Sequence, residues 1–303
     1  MNNYYDVIII GGGPAGLTAG IYALRSGCSV AVVEKNMVGG QINYTYEIDN
    51  YPGLPKINGF ELAMKFHSHY EDCGGETLYG NIDKVDCENK IVVVDGEEYT
   101  CKSIILAMGA KARTLKVEEP YVGRGVAYCA ICDGNFYKDK DVVLVGGGNT
   151  AVEDAIYLSN IVKSLKIVNN LPDFTAQKVL VEELKNIANT KPIEILHSTT
   201  LTGVFGENKV EKVTLSNNGK EVEVACEGLF VAVGRIPDNE CIKGQIECDE
   251  FGYVKANDKL QTNIEGVYVC GDVRVKNLRQ IATAVGDGAI AGTESAMYVN
   301  LKK

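Results

Sequence analysis

The chain has 303 residues, a formal net charge of −10, 10 cysteines and 3 histidines, long enough for two domains with a core each. The negative charge argues against nucleic acid and anionic membrane surfaces as partners. No apolar stretch reaches bilayer-spanning length and no basic, apolar leader opens the chain, so a cytoplasmic protein is expected, with most cysteines serving as small buried hydrophobes.

Asp6 to Ile10 holds an unbroken apolar run, the pattern of a parallel strand covered on both faces. It enters Gly11-x-Gly13-x-x-Gly16, with Pro14 and Ala15 inside the turn, and then a helical pattern to about Ser26. A second apolar strand, Ser29 to Val33, ends in Glu34 and Lys35. Strand, glycine turn, helix, strand and acid in this order predict a dinucleotide-binding unit. The glycines let the backbone approach a pyrophosphate at the helix N-terminus, and the acid can hold a ribose hydroxyl.

Gly39-Gly40-Gln41-Ile42 and Asn50-Tyr51-Pro52-Gly53 are loop signals. A helix is expected over Gly59 to Cys73; its His67 and His69, two apart, share no face and are expected at the surface. Short alternating runs from Thr77 to Ile105, turning at Asp95-Gly96, predict a small antiparallel insertion. Ile104 to Ala110 then predicts a core strand that ends at Gly109.

Mid-chain stands Cys129-Ala130-Ile131-Cys132-Asp133. Two thiols at this spacing can close a small disulfide, and the adjacent acid can hand a proton to a departing thiolate. A zinc half-site has the same spacing but needs a second pair or a Cys/His partner nearby, and none is present. Inert core cysteines are the other alternative, and a redox dithiol is preferred to both. After it the opening pattern repeats: a strand over Val142 to Val145, the turn Gly146-x-Gly148-Asn149-Thr150-Ala151, a helix to about Asn160, and a strand over Leu165 to Val168 followed by Asn169-Asn170. Gly203 to Val224 is strand-rich, Leu229 to Val233 runs into Gly234, and the tail ends in a small-residue helix over Ala284 to Val299. The expected fold class is α/β with two Rossmann-like, three-layer dinucleotide units and small antiparallel β segments.

Taken together, these residues resemble the low-molecular-weight thioredoxin reductases over nearly the whole chain. The resemblance rests on the Gly11 and Gly146 fingerprints, Gly39-Gly40-Gln41, Cys129 to Asp133, Gly271-Asp272 and Arg279-Gln280-Ile281-Ala282. It implies an FAD-binding domain, 1–111 with 243–303, and a nicotinamide-type domain, 112–242, inserted into it. It also implies a homodimer that reduces thioredoxin or a thioredoxin-like protein. FAD contacts are implied for Gly11, Gly13, Pro14, Ala15, Gly16, Glu34, Lys35, Gly40, Gln41, Ile42, Asn50, Gly109, Gly271, Asp272, Arg279, Gln280, Ile281 and Ala282. Cys132 is implied to face the flavin, Cys129 to attack the partner disulfide, and Asp133 to carry the proton. The larger disulfide reductases, with a catalytic histidine near the C-terminus, are excluded because the last histidine is His197.

One stretch departs from the resemblance. Where NADPH-using members carry arginines for the 2′-phosphate, this chain has Asn170, Leu171 and Thr175, and no acid for NADH stands at the strand end. NADPH is therefore disfavoured as donor. NADH, with Asn169 or Asn170 at its ribose on the turn of Gly146, Gly148, Asn149, Thr150 and Ala151, and ferredoxin are the two expectations. A flavin dithiol oxidase using oxygen and a non-enzymatic redox sensor are the alternative functions, and no metal site is expected.

Overall fold

The computed structural model describes residues 3–45 and 47–302. It divides into two compact units, Met1–Lys111 with Ile236–Lys303, and Ala112–Arg235. In chain order the first unit begins with β1 (Tyr4–Ile10), α1 (Pro14–Arg25), β2 (Val30–Glu34), α2 (Gly59–Asp72), β3 (Glu76–Tyr79), β4 (Ile82–Asp86), β5 (Ile91–Val94), β6 (Glu97–Leu106) and β7 (Ala110–Ala112). The second unit holds β8 (Val126–Ala127), α3 (Ala130–Asp133), β9 (Asp141–Val145), α4 (Asn149–Leu158), β10 (Ser164–Val168), α5 (Lys178–Ala188), β11 (Ile193–Leu196), β12 (Thr199–Phe205), β13 (Lys212–Asn217), β14 (Lys220–Ala225) and β15 (Gly228–Val231). The chain returns through β16 (Arg235–Pro237) to β17 (Val267–Val269) and α6 (Ile281–Leu301) in the first unit.

The first unit is built on a seven-stranded sheet ordered β3-β2-β1-β6-β5-β4, with β17 also pairing β6. β1 lies parallel to β2 and β6, with Ile8 opposite Ala31 and Ile104. Because successive side chains alternate, Ile8 and Ile10 enter one core with Val33 and Leu106, while Val7 and Ile9 enter another under α1 and α6. That double burial explains the unbroken apolar run. α6 crosses α1 closely: a Cβ on Gly288 would lie 2.3 Å from the Ala15 carbonyl oxygen, and one on Gly292 2.3 Å from that of Ala19.

Three expectations need correction here. The last strand of the antiparallel insertion and the core strand expected after it are one ten-residue strand, β6, while β4 and β5 form the rest of the insertion. The first half of β6 alternates in burial beside antiparallel β5, and its second half is buried throughout beside β1 and β17. His67 is half-buried, its Nε2 lying 3.1 Å from Thr77 Oγ1, while His69 is exposed as expected. The second crossing falls between 235 and 236 rather than at 242/243. Residues after 235 are held by the first unit: Asp238 pairs with Lys35 and Lys111, and Ile242 packs beside Ile246 and Val254 in its core.

The second unit carries a parallel sheet, β11-β10-β9-β15-β8, and a three-stranded antiparallel sheet, β12-β13-β14. α4 and α5 cover one face through Val152, Ala155, Leu158 and Leu184, and the antiparallel sheet packs on the other through Leu201, Val213 and Leu215. Its two ends meet: the Arg113 N–H donates to the Gly234 carbonyl at 2.9 Å. Among the described residues no helix is long and apolar enough to cross a membrane, and no cluster of His, Cys, Asp and Glu is suited to hold a metal ion.

Candidate functional site

In the first unit β1 runs into the glycine turn, and the turn opens a cavity of about 260 Å³. Gly11 sits at φ 108°, in the region that favours glycine, and a Cβ there would lie 2.5 Å from the Ala107 carbonyl oxygen. Gly13, Pro14 and Ala15 line the cavity from the start of α1, where the free N–H groups of a helix N-terminus favour an anion. Glu34 lines it from the end of β2, one carboxylate oxygen accepting the Gly12 N–H at 2.9 Å and the other the Asn36 N–H at 3.0 Å.

Lys35, Gly40, Gln41, Ile42, Gly109, Gly271, Asp272, Gln280 and Ile281 also line this cavity. Gly16, Asn50, Arg279 and Ala282 do not line it. Gly16 is buried beneath the turn, where a Cβ would collide with the Gly11 carbonyl. Asn50 Nδ2 donates a hydrogen bond to Gln280 Oε1 at 3.1 Å, and Arg279 stacks on the Tyr253 ring at 4.1 Å and donates to the Asp272 carbonyl. Ala282 is exposed on the first turn of α6.

Sequence reading missed Asn43 and Asp238 in the same wall. Asn43 donates its amide to Val38, and its buried Oδ1 has no hydrogen-bond partner among the described residues. Burial alone would raise the Asp238 pKa, but Lys111 at 2.7 Å and Lys35 at 3.5 Å outweigh it and hold the carboxyl below its usual range.

The second unit repeats the turn with a cavity of about 610 Å³, lined by Gly146, Gly148, Asn149, Thr150, Asn169 and Asn170. Ala151 lies fully buried under the turn, where a Cβ on Gly146 would meet its methyl at 2.8 Å. Arg113 is the cation among the lining residues, which include no acid. Asn169 is only 1% exposed and its amide is already engaged. It donates to the Asp173 carbonyl at 2.9 Å, lies 3.3 Å from His197 Nδ1, and accepts the Leu171 N–H at 3.2 Å. Thr175 closes the same loop onto the turn, its N–H donating to the Gly147 carbonyl at 2.9 Å.

Also in this unit, Cys129 and Cys132 form a disulfide, both half-buried, with Cα atoms 5.3 Å apart. Cys129 caps α3: its Sγ accepts the Cys132 N–H at 3.2 Å. Asp133 follows in α3, its N–H bonded to the Cys129 carbonyl, and its charge adds to burial in pushing up the Tyr137 pKa. Tyr128 donates its hydroxyl to Glu118 at 3.1 Å, and burial, reinforced by that carboxylate, raises the Tyr128 pKa strongly.

A family profile described as pyridine nucleotide-disulphide oxidoreductase matches residues 5–288. The thioredoxin reductase of Bacillus subtilis is 39% identical over 302 residues, covering 97% of this chain and 95% of the relative. The chain belongs to the pyridine nucleotide-disulphide oxidoreductases. Among solved members of that family, the thioredoxin reductase of Streptococcus pyogenes superposes with a TM-score of 0.92 at 41% identity, covering 99% of this chain and 100% of that one. A ferredoxin-flavin thioredoxin reductase from Clostridium acetobutylicum superposes with a TM-score of 0.53 at 29% identity, covering 98% and 99%. This member is accordingly an enzyme of the thioredoxin-reductase kind, with two Rossmann-like units and a Cys-x-x-Cys disulfide. One buried acid in the second unit was passed over by sequence reading. Asp154 lies on the buried side of α4, three residues past Ala151 and four before Leu158. An acid at a core position of an amphipathic helix was the signal that could have found it.

Proposed function

We propose that the chain reduces thioredoxin, or a similar small disulfide protein, through FAD and the Cys129–Cys132 pair, with NADH or ferredoxin rather than NADPH as the donor. The observation that carries the reading is the half-buried disulfide capping α3, with Asp133 in the same turn. The first-unit cavity fits FAD in its chemistry: a glycine turn closed to any side chain at Gly11, a carboxylate at Glu34, and the unmet acceptor of Asn43. FAD, when bound, would supply a carrier able to deliver two electrons to the disulfide. Gly11, Gly13, Pro14 and Ala15 would hold its pyrophosphate, Glu34 its ribose, and Asp272, Gln280 and Ile281 the remainder, with Asn50 and Arg279 fixing Gln280 and Asp272 in place.

Once the pair is reduced, the Cys129 thiolate attacks one sulfur of the partner disulfide, and the other partner sulfur leaves with the bond's electron pair. Cys132 then attacks Cys129, which closes the disulfide again and releases the second partner sulfur. Asp133 carries a proton to a departing sulfur.

The loop after β10 supports disfavouring NADPH: the Asn169 amide ties it to Asp173 and Leu171 in place of the arginine fork, and the second-unit cavity offers no paired arginines. Missing fork contacts weaken 2′-phosphate binding by roughly a hundredfold.

Steady-state assays with thioredoxin and NADPH, NADH or reduced ferredoxin at matched concentration test the reading, with Cys132→Ser added as a trap. Turnover is expected with NADH or ferredoxin, and Cys132→Ser should hold thioredoxin as a mixed disulfide at Cys129. A micromolar KM for NADPH with fast turnover sinks the donor assignment, and peroxide production without thioredoxin reduction sinks the reductase.

A further inference from the structure

Asp287, buried on α6, meets two cations at once. Arg274 reaches it as a fork, Nε donating to Oδ2 at 2.9 Å and Nη2 to Oδ1 at 2.8 Å, which already matches one positive charge to one negative. Lys276 Nζ donates to the same Oδ2 at 2.7 Å, and the Lys276 side chain is only 6% exposed. Two cations share one carboxylate, so the cluster holds a surplus positive charge. A surplus charge out of water is costly unless something compensates it, and stability alone would favour an apolar side chain at 276.

The cluster stands directly behind the first-unit cavity. Asp287 Oδ2 also accepts the Gly271 N–H at 3.1 Å, and Gly271 and Asp272 line the cavity. Gly271 lies against the first turn of α1, where a Cβ on it would come within 2.9 Å of the Ala15 methyl. Gly288, next to Asp287, meets the Ala15 carbonyl from the other side, with 2.3 Å left for a Cβ. Two neighbouring residues of α6 thus hold the Gly271 turn and the N-terminus of α1 side by side, and that N-terminus favours an anion. Lys276 itself does not line the cavity, so it acts on an occupant through its charge and through Asp287.

We propose that Asp287 and Lys276 are positioning residues for the FAD diphosphate: Asp287 fixes Gly271 against Ala15, and the surplus charge at Lys276 compensates the phosphates at the α1 N-terminus. The inference rests on reading this cavity as the FAD site.

The experiment takes the full-length chain stripped of flavin, titrates it with FAD by the quench of flavin fluorescence, and records the melting temperature without FAD beside it. Lys276→Met leaves the Arg274–Asp287 fork and the Gly271 bond in place. It should weaken FAD about tenfold, while the melting temperature of the stripped protein holds or rises. Lys276→Arg, which keeps the charge, should bind FAD as wild type does. Asp287→Asn should weaken FAD as well; should it fail to fold, the Lys276 variants decide alone. Equal FAD affinity in wild type and Lys276→Met overturns the inference. So does a Lys276→Met protein that loses stability in step with affinity or does not fold, since that is the mark of a structural lysine. A folded Lys276→Arg no better than Lys276→Met overturns the role of charge. Wild-type protein that binds no FAD overturns the reading of the cavity itself.

Discussion

At the scale of single residues, charge inside the fold is placed where it ties backbone to helix. Asp287 on α6 accepts the Gly271 N–H at 3.1 Å, Arg274 Nε at 2.9 Å and Lys276 Nζ at 2.7 Å, so one carboxylate fixes the turn after β17 beside the first-unit cavity. Burial would raise its pKa, yet Arg274 and Lys276 outweigh burial and lower it from 3.8. A depressed folded value gives stability that is present above the unfolded pKa and lost as pH falls through the folded one. Asp287→Asn should therefore cost about 3 kcal/mol at neutral pH by stranding two cations. The gap in melting temperature between variant and wild type should close in acid below the ordinary aspartate pKa. A gap that is constant with pH would show that the carboxylate's charge is not what matters.

Elements show what could be read from the chain and what could not. β1 and its glycine turn were legible because burial on both faces leaves an unbroken apolar run and the turn admits only glycine at Gly11. β6 was split in the reading because its alternation changes midway, where its neighbour changes from β5 to β17. The boundary after Arg235 was hidden for a similar reason: Asp238 belongs to the first unit through Lys35 and Lys111, contacts that no local pattern encodes. Asn169 read as a ribose ligand because its position just after β10 is visible in sequence, whereas its hydrogen bonds to Asp173 and Leu171 are not. The contact of α6 with α1 gives a prediction at this scale. Gly292 meets the Ala19 carbonyl with no room for a side chain, so Gly292→Val should destabilise by about 1–3 kcal/mol or more. Val on exposed Ile290 should cost far less. Equal losses in chemical denaturation at the two sites would contradict the close crossing.

For the whole molecule, the decisive fact is that each unit has its own core. The second unit is one continuous segment with apolar clusters on both faces of its sheet, and its two ends are joined by the Arg113–Gly234 hydrogen bond. Residues 112–235 produced alone should fold cooperatively, since neither cluster borrows a side chain from the first unit. The isolated piece should retain a Cys129–Cys132 pair that opens and closes with dithiothreitol. A broad, non-cooperative melt of that piece by circular dichroism would contradict the division.

The meeting of Arg113 with Gly234 also bears on how such an enzyme changes over generations. A segment that enters and leaves its host at one point behaves as a cassette: insertions, losses and exchanges inside it leave the host strands where they were. Selection can rework the loop after β10, while the glycine turn and Glu34 in the other unit stay under separate constraint.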